Sequence, residues 1–127
     1  MDKTGNKNIT VIPNYPPRYW LDQYDENMIE TNYSKRKKKP RVLYAGSGAH
    51  FDVDNLINQK DDFQHVIDVI RKTVNKYQWI FIGAFPNGLR DLVVSGKIEF
   101  HQWTHLLDYP RLVQKVRPNV MVAPLTD

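Results

Sequence analysis

Cysteine is absent from this chain, which excludes a disulfide framework, a thiolate metal site and a cysteine nucleophile. No apolar run approaches the roughly 20 residues of a membrane-spanning helix, and no signal-peptide pattern opens the sequence. The expectation is a soluble, cytoplasmic protein with no membrane span and no bound cofactor or metal. The 127 residues suffice for one domain with a real core and are too few for two full ones. Apolar residues make up 41% and aromatics 12%, which argues against disorder over most of the length.

The formal charge of +4 misleads as an average. Lys35, Arg36, Lys37, Lys38, Lys39 and Arg41 supply six of the 18 basic residues within seven positions, leaving 12 basic against 14 acidic elsewhere. A basic run can bind phosphates or an anionic membrane. Here it lies between a polar, turn-prone segment and an apolar strand, so it reads as a solvated linker, and the rest of the chain is not a surface built for nucleic acid. A nucleic-acid binder using residues 35–41 would show salt-sensitive affinity.

Residues 1–40 read as an N-terminal extension and interdomain-type linker. Ile9–Ile12 suits a short strand, closed by Pro13-Asn14 and the Pro16-Pro17 pair. Tyr15, Tyr19, Trp20, Leu21 and Tyr24 follow in a stretch too rich in proline for a long helix. Only Arg18 interleaves with them, so they are expected to pack on a neighbouring surface rather than bind bases.

From Arg41 the pattern alternates between β and α units. Val42–Ala45 predicts a first strand running into the glycine-rich turn Gly46-Ser-Gly-Ala-His50. Phe63, Val66, Ile67, Ile70 and Val74 fall at helical spacing, with Asp61 and Asp62 ahead and Lys72 and Lys76 near the end, as the helix dipole favours. Gln78–Ile82 predicts a second strand closed by Gly83, and Asn87–Val94 a short helix ended by Ser95-Gly96. Ile98–Phe100 belongs to a third strand, Tyr109–Val116 to a second short helix, and Asn119–Ala123 to a fourth strand, apolar on both faces. Strands separated by helices imply parallel pairing through right-handed crossovers. The fold class is therefore α/β: a three-layer, Rossmann-like half with a parallel sheet of about four strands. In the common 3-2-1-4 order, strands one and four meet at the topological switch point, beyond whose carboxyl ends ligands bind. Gly46–His50 and Pro124–Asp127 then face each other across one crevice.

At this point the residues resemble a known family. Tyr44-Ala-Gly-Ser-Gly-Ala-His50 followed by Asp54-Asn-Leu56 resembles the start of the donor-binding domain of two-domain (GT-B fold) glycosyltransferases. Phe81-Ile-Gly-Ala-Phe-Pro86, Phe100-His-Gln-Trp103, and Asp108-Tyr-Pro110 leading to Val122-Ala-Pro-Leu125 match in order. Val11-Ile-Pro-Asn14 looks like the end of the family's first domain. The resemblance implies that residues 41–127 are a partial nucleotide-sugar donor-binding domain, for a UDP- or GDP-linked sugar. It places Gly46, Ser47, Gly48 and His50 near the donor's phosphates or sugar, where glycines let backbone N–H groups approach an anion. It makes Gly83 the turn after strand two. His101, Gln102, Trp103 and Thr104 fall where the family holds the nucleotide base, and Pro124 and Leu125 line the same cleft. An Arg–Lys clamp for the diphosphate is not evident after strand one. The family's glutamate-bearing segment belongs just after Leu125, and the acceptor domain is missing, so the resemblance is to a fragment, inactive alone.

Blander readings stand beside these. Gly46-Ser-Gly48 also suits an ordinary strand-ending turn that needs φ > 0. His50 is equally a polar loop residue, and Trp103 a packing residue. His101 and His105 have the i, i+4 spacing of metal ligands, but at a strand end and in a loop rather than on a helix. Asp52, Asp54 and Asp108 read as helix caps, and no pair of carboxylates is spaced for acid–base work, so no catalytic residue is nominated. Glu99, between apolar Ile98 and Phe100, reads as partly buried and paired. Besides the glycosyltransferase-like domain, a non-catalytic Rossmann-like binding or assembly module remains open, with self-association through the strand at 119–123.

Overall fold

The computed structural model describes residues 15–23, 27, 39–50, 63 and 65–124. The expected strand at Ile9–Ile12, Tyr24, Lys35–Lys38, Asp52, Asp54, Asp61, Asp62 and Leu125–Asp127 lie outside them, as does the side chain of His50. In chain order the elements are α1 (Arg18–Leu21), β1 (Arg41–Gly46), a 3-10 turn (Gly48–His50), α2 (Val66–Thr73), β2 (Gln78–Gly83), a 3-10 turn (Asn87–Leu89) running into α3 (Arg90–Val94), β3 (Glu99–Gln102), α4 (Tyr109–Val116) and β4 (Val120–Met121). All four strands are parallel, in the order β3-β2-β1-β4. The switch point thus falls between β1 and β4, as the pattern predicts.

The period-two alternation of β1 and β2 builds a core on each face of the sheet. Tyr44, Trp79 and Phe81 pack with Phe63, Ile70, Val74, Leu89 and Leu92 beneath α2 and α3. Leu43, Ile80 and Ile82 pack on the opposite face against Leu112, Val113 and Val116 of α4. Tyr44 meets Phe63 edge-on at 4.7 Å between ring centroids. The result is three layers, helix–sheet–helix, each helix held by one apolar stripe.

Gly46 and Gly83 are the last residues of β1 and β2 rather than the turns after them, and three further departures from the pattern bear on the sheet. β3 covers Glu99–Gln102, one to two residues later than expected, because Ile98 is taken into the core just before pairing begins. β4 pairs only at Val120 and Met121 rather than over 119–123. Val122 N–H still donates to Leu43 O (2.9 Å), and Pro124 has no N–H to continue a ladder. Val120 and Met121 are each 54% exposed; among the described residues β4 is an edge strand, not a central one covered on both faces.

Arg41 is the third departure. Expected in a solvated linker, it is instead the first residue of β1 and 5% exposed. Its Nε donates to Val116 O (2.7 Å) at the carboxyl end of α4, and its Nη2 to Glu99 Oε2 (2.7 Å) on β3. Its backbone N–H donates to Asn119 Oδ1 (2.8 Å), and Asn119 N–H returns a bond to Arg41 O (2.9 Å). One guanidinium thereby satisfies an orphan helix carbonyl, meets the negative end of the helix and neutralises a carboxylate. Lys39 is exposed, as expected. Among the described residues of the proline-rich segment, Arg18–Leu21 form the single turn α1, and Trp20 packs on Tyr109 of α4 (5.4 Å), as expected of a segment that lies on a neighbouring surface.

Candidate functional site

The carboxyl ends of β1, β2 and β3 meet at one edge. Register sets Gly46 beside Gly83, and Gly83 beside Gln102. The edge therefore gathers Gly46, Gly83 and Trp103 from three strand ends.

Gly83 is the residue whose chemistry this edge demands. Its φ is +96°, and a β-carbon there would stand 2.5 Å from both the Gly46 carbonyl oxygen and Cε3 of Trp103. The backbone turns in a conformation closed to L side chains while the indole lies across it. Gly46 and Gly48 are different. Neither has positive φ, so the need for φ > 0 does not explain them. A β-carbon on Gly46 would run into the hydroxyl of Tyr44, the end of a side chain, and one on Gly48 would meet nothing. Ser47 Oγ accepts a long bond (3.4 Å) from Ala49 N–H at the surface.

Trp103 is 59% exposed yet held in place. One part of its ring lies over Gly83, and it stacks on Tyr109 at 6.2 Å with 28° between planes. Tyr109 in turn meets Trp20, so three rings run across the face that α4 covers. Burial pushes the Tyr109 phenol above its ordinary value. Thr104 is half-buried beside Trp103.

The paired carboxylate expected at Glu99 is present and more elaborate than its sequence neighbours indicate. Glu99 Oε1 accepts from His101 Nε2–H (2.8 Å) while Oε2 accepts from Arg41. Burial raises the carboxyl's pKa, but bonds from His101 and Arg41 outweigh it and hold Glu99 below its ordinary value. His105 lies in the turn after β3, apart from this network, with its Nδ1 accepting from Leu107 N–H (3.3 Å). Among the described residues no His/Asp/Glu cluster is gathered as a metal ion requires. No helix among them is long and apolar enough to cross a membrane. Asp108 stands at the N-cap position of α4, but its side chain makes no capping bond.

Sequence reasoning missed Arg41 and Tyr109. The available signal was a charge at the head of an otherwise apolar strand, Arg41-Val-Leu, with an opposite charge inside another, Ile98-Glu-Phe. Such charges on strands need each other when both are taken from water.

Fold and edge together define the chain as an α/β domain with a wholly parallel, Rossmann-like sheet and a glycine–tryptophan edge at its carboxyl ends. Compared with known proteins, it matches no family model, no curated protein and no solved structure.

Proposed function

We propose that residues 41–127 form a nucleotide-binding domain like the donor half of a GT-B glycosyltransferase, taking a UDP- or GDP-linked sugar, in a cytoplasmic setting. The observation that carries this reading is Gly83, paired with Gly46 and lying beneath the exposed ring of Trp103, at the carboxyl edge of a parallel sheet whose switch point falls between β1 and β4. Open parallel sheets bind ligands at such a place. An exposed, immobilised indole offers a stacking face for a planar base. Thr104 follows it in the chain; Ser47, Gly48, His50, Pro124 and Leu125 enter this reading through the sequence resemblance. The test is titration with UDP and GDP, followed by amide shifts of Gly46 and Gly83 and the indole of Trp103. Shifts at these three groups support the reading. No perturbation at about millimolar nucleotide, a binding energy near 4 kcal/mol, overturns it.

A second reading, a non-catalytic assembly module, rests on β4. Among the described residues its apolar Val120 and Met121 are half exposed and no strand lies beyond β4, and an uncovered edge invites pairing with another chain. Sedimentation at micromolar concentration separates the two readings: a dimer dispersed by Met121→Lys favours assembly, and a clean monomer removes it.

A further inference from the structure

At the amino ends of the strands, opposite the candidate edge, the chain enters every strand past a cation. Lys39 lies two residues before β1, Lys76 two before β2, Lys97 two before β3 and Arg117 three before β4. Hydrogen bonds hold these entries in one row. Gln78 Nε2 donates to Lys97 O (3.4 Å), Gln78 N–H to Pro40 O (2.9 Å), and Arg41 Nε to Val116 O (2.7 Å). Four adjacent strands span about 14 Å, little more than the screening length of about 10 Å, so the charges act on a partner together. Lys39, Lys76 and Lys97 are exposed and Arg117 is half-buried. None of the four forms an ion pair among the described residues. The described carboxylates do not cancel them. Asp68 and Asp108 belong to the opposite ends of α2 and α4, Asp22 closes α1, Asp91 pairs with Arg71, and Glu99 has both oxygens engaged. The near balance of 12 basic and 14 acidic residues outside the run at 35–41 gives no sign of this sorting. Helix dipoles account for Lys72 and Lys115 in the last turns of α2 and α4. They do not account for the apolar side chains set among the cations. Tyr77, beside Lys76, is 38% exposed, and Val94, at the end of α3 and three residues before Lys97, is 81% exposed.

We propose that this end of the sheet docks on an anionic lipid surface, lying on the bilayer without crossing it. Lys39, Lys76, Lys97 and Arg117 meet the charged headgroups, and Tyr77 and Val94 enter the interface beneath them. Charge alone would suit a nucleic acid equally well. The exposed valine decides for lipid, because it leaves water only where the partner has an apolar layer below its charge, and a phosphate backbone offers none. A tyrosine suits the same depth, with its ring in the apolar boundary and its hydroxyl in water. Each cation near such a surface is worth about a fivefold gain in partitioning. Docked this way, the carboxyl edge with Trp103 faces away from the bilayer, and the proposal stands independently of the nucleotide reading.

The test mixes the full chain with phosphatidylcholine vesicles carrying about 30% phosphatidylserine, with pure phosphatidylcholine vesicles, and with a DNA duplex of about 20 base pairs. The chain is expected to sediment with the anionic vesicles at about 0.1 M salt, to leave them at about 0.5 M, and to ignore the neutral ones. Lys76→Glu/Lys97→Glu lowers partitioning at least about tenfold. Val94→Ser changes no charge and lowers it roughly threefold to tenfold. All three positions are exposed, and urea midpoints equal to wild type show that the variants fold; Lys76→Gln/Lys97→Gln, which only neutralises, replaces the reversal if that variant does not. Unchanged partitioning of the lysine variants would assign the binding to residues 35–38 and overturn the inference. Equal binding to neutral vesicles overturns it too, as does an unaffected Val94→Ser. So does a chain that leaves the anionic vesicles unbound, whether or not it binds the duplex.

Discussion

Gly83 and Trp103 are packed so closely that the glycine has no room for a side chain: a β-carbon would lie 2.5 Å from the indole Cε3 and equally close to the Gly46 carbonyl. The indole can move, but the carbonyl belongs to the β1 backbone and cannot. With φ at +96°, Gly83→Ala adds conformational strain of about 1–2 kcal/mol to this overlap, for a total loss of about 2–4 kcal/mol. Urea unfolding measures it. Gly48→Ala is the control: nothing lies within 4 Å of its β-carbon position and its φ is not positive, so the change is expected within about 0.5 kcal/mol. Equal stabilities of the two variants would remove Gly83 from its place at the edge.

Trp20 offers a different kind of test. Its ring packs on Tyr109, but its Nε1–H is buried with no hydrogen-bond partner among the described residues. Trp20→Phe keeps the ring contact and removes the unpaired donor, so stability is expected to hold or rise slightly. Trp20→Ala loses the contact as well, at a cost of about 1–2 kcal/mol for a half-buried ring. Thermal unfolding of both variants checks the order. Equal losses would mean that the donor is satisfied.

Tyr109 carries a spectroscopic prediction. Burial favours its neutral phenol, raising its pKa above the ordinary tyrosine value. Ultraviolet titration should show a late-ionising tyrosine component that Tyr109→Phe removes. For a raised folded value, the associated stability is complete below the ordinary pKa and lost as pH climbs through the folded one. A titration that Tyr109→Phe leaves unchanged would contradict the half-buried position.

How much of this was legible beforehand depended on the range of the forces involved. The strand order was readable because β–α alternation with short connections leaves few arrangements for a parallel sheet. α4 came out at Tyr109–Val116, as predicted, because its apolar spacing is local. β4 was overestimated because an apolar pentapeptide looks the same whether a fifth strand covers it or solvent does. Arg41 was assigned to solvent because it ends a run of lysines, and its partners lie 58 and 75 residues away. At the candidate edge, the sequence indicated glycines at two strand ends. It did not reveal that only Gly83 has the backbone conformation that requires one. Nor did it show that Trp103 is both packed and exposed, since that depends on Tyr109 and on register across three strands.

The ion-pair network of Arg41, Glu99 and His101 predicts where acid acts on the fold. Glu99 is held below its ordinary value because burial, which opposes ionisation, is outweighed by bonds from His101 and Arg41. A depressed folded value means the stabilisation is complete above the ordinary carboxylate range and is lost as pH falls below that range through the folded value. Asp91 is lowered by Arg71 at the surface and contributes with the same sign, so wild type and Glu99→Gln must be compared over the whole acid limb. Glu99→Gln is expected to flatten that limb and to lower stability near neutral pH, because Arg41 stays buried with its charge unmatched. Removing one partner of a fully buried pair costs about 3–5 kcal/mol, and the partial exposure of Glu99 reduces this to about 1–3 kcal/mol. Arg41→Met, which removes the buried charge and keeps most of the side-chain volume, should recover part of the loss in the double variant. Urea midpoints from about pH 3 to pH 7 decide the matter. An acid limb of unchanged slope in Glu99→Gln, or a double variant no more stable than the single, would show that the Arg41–Glu99 bond is not what holds β3 to β1 and α4.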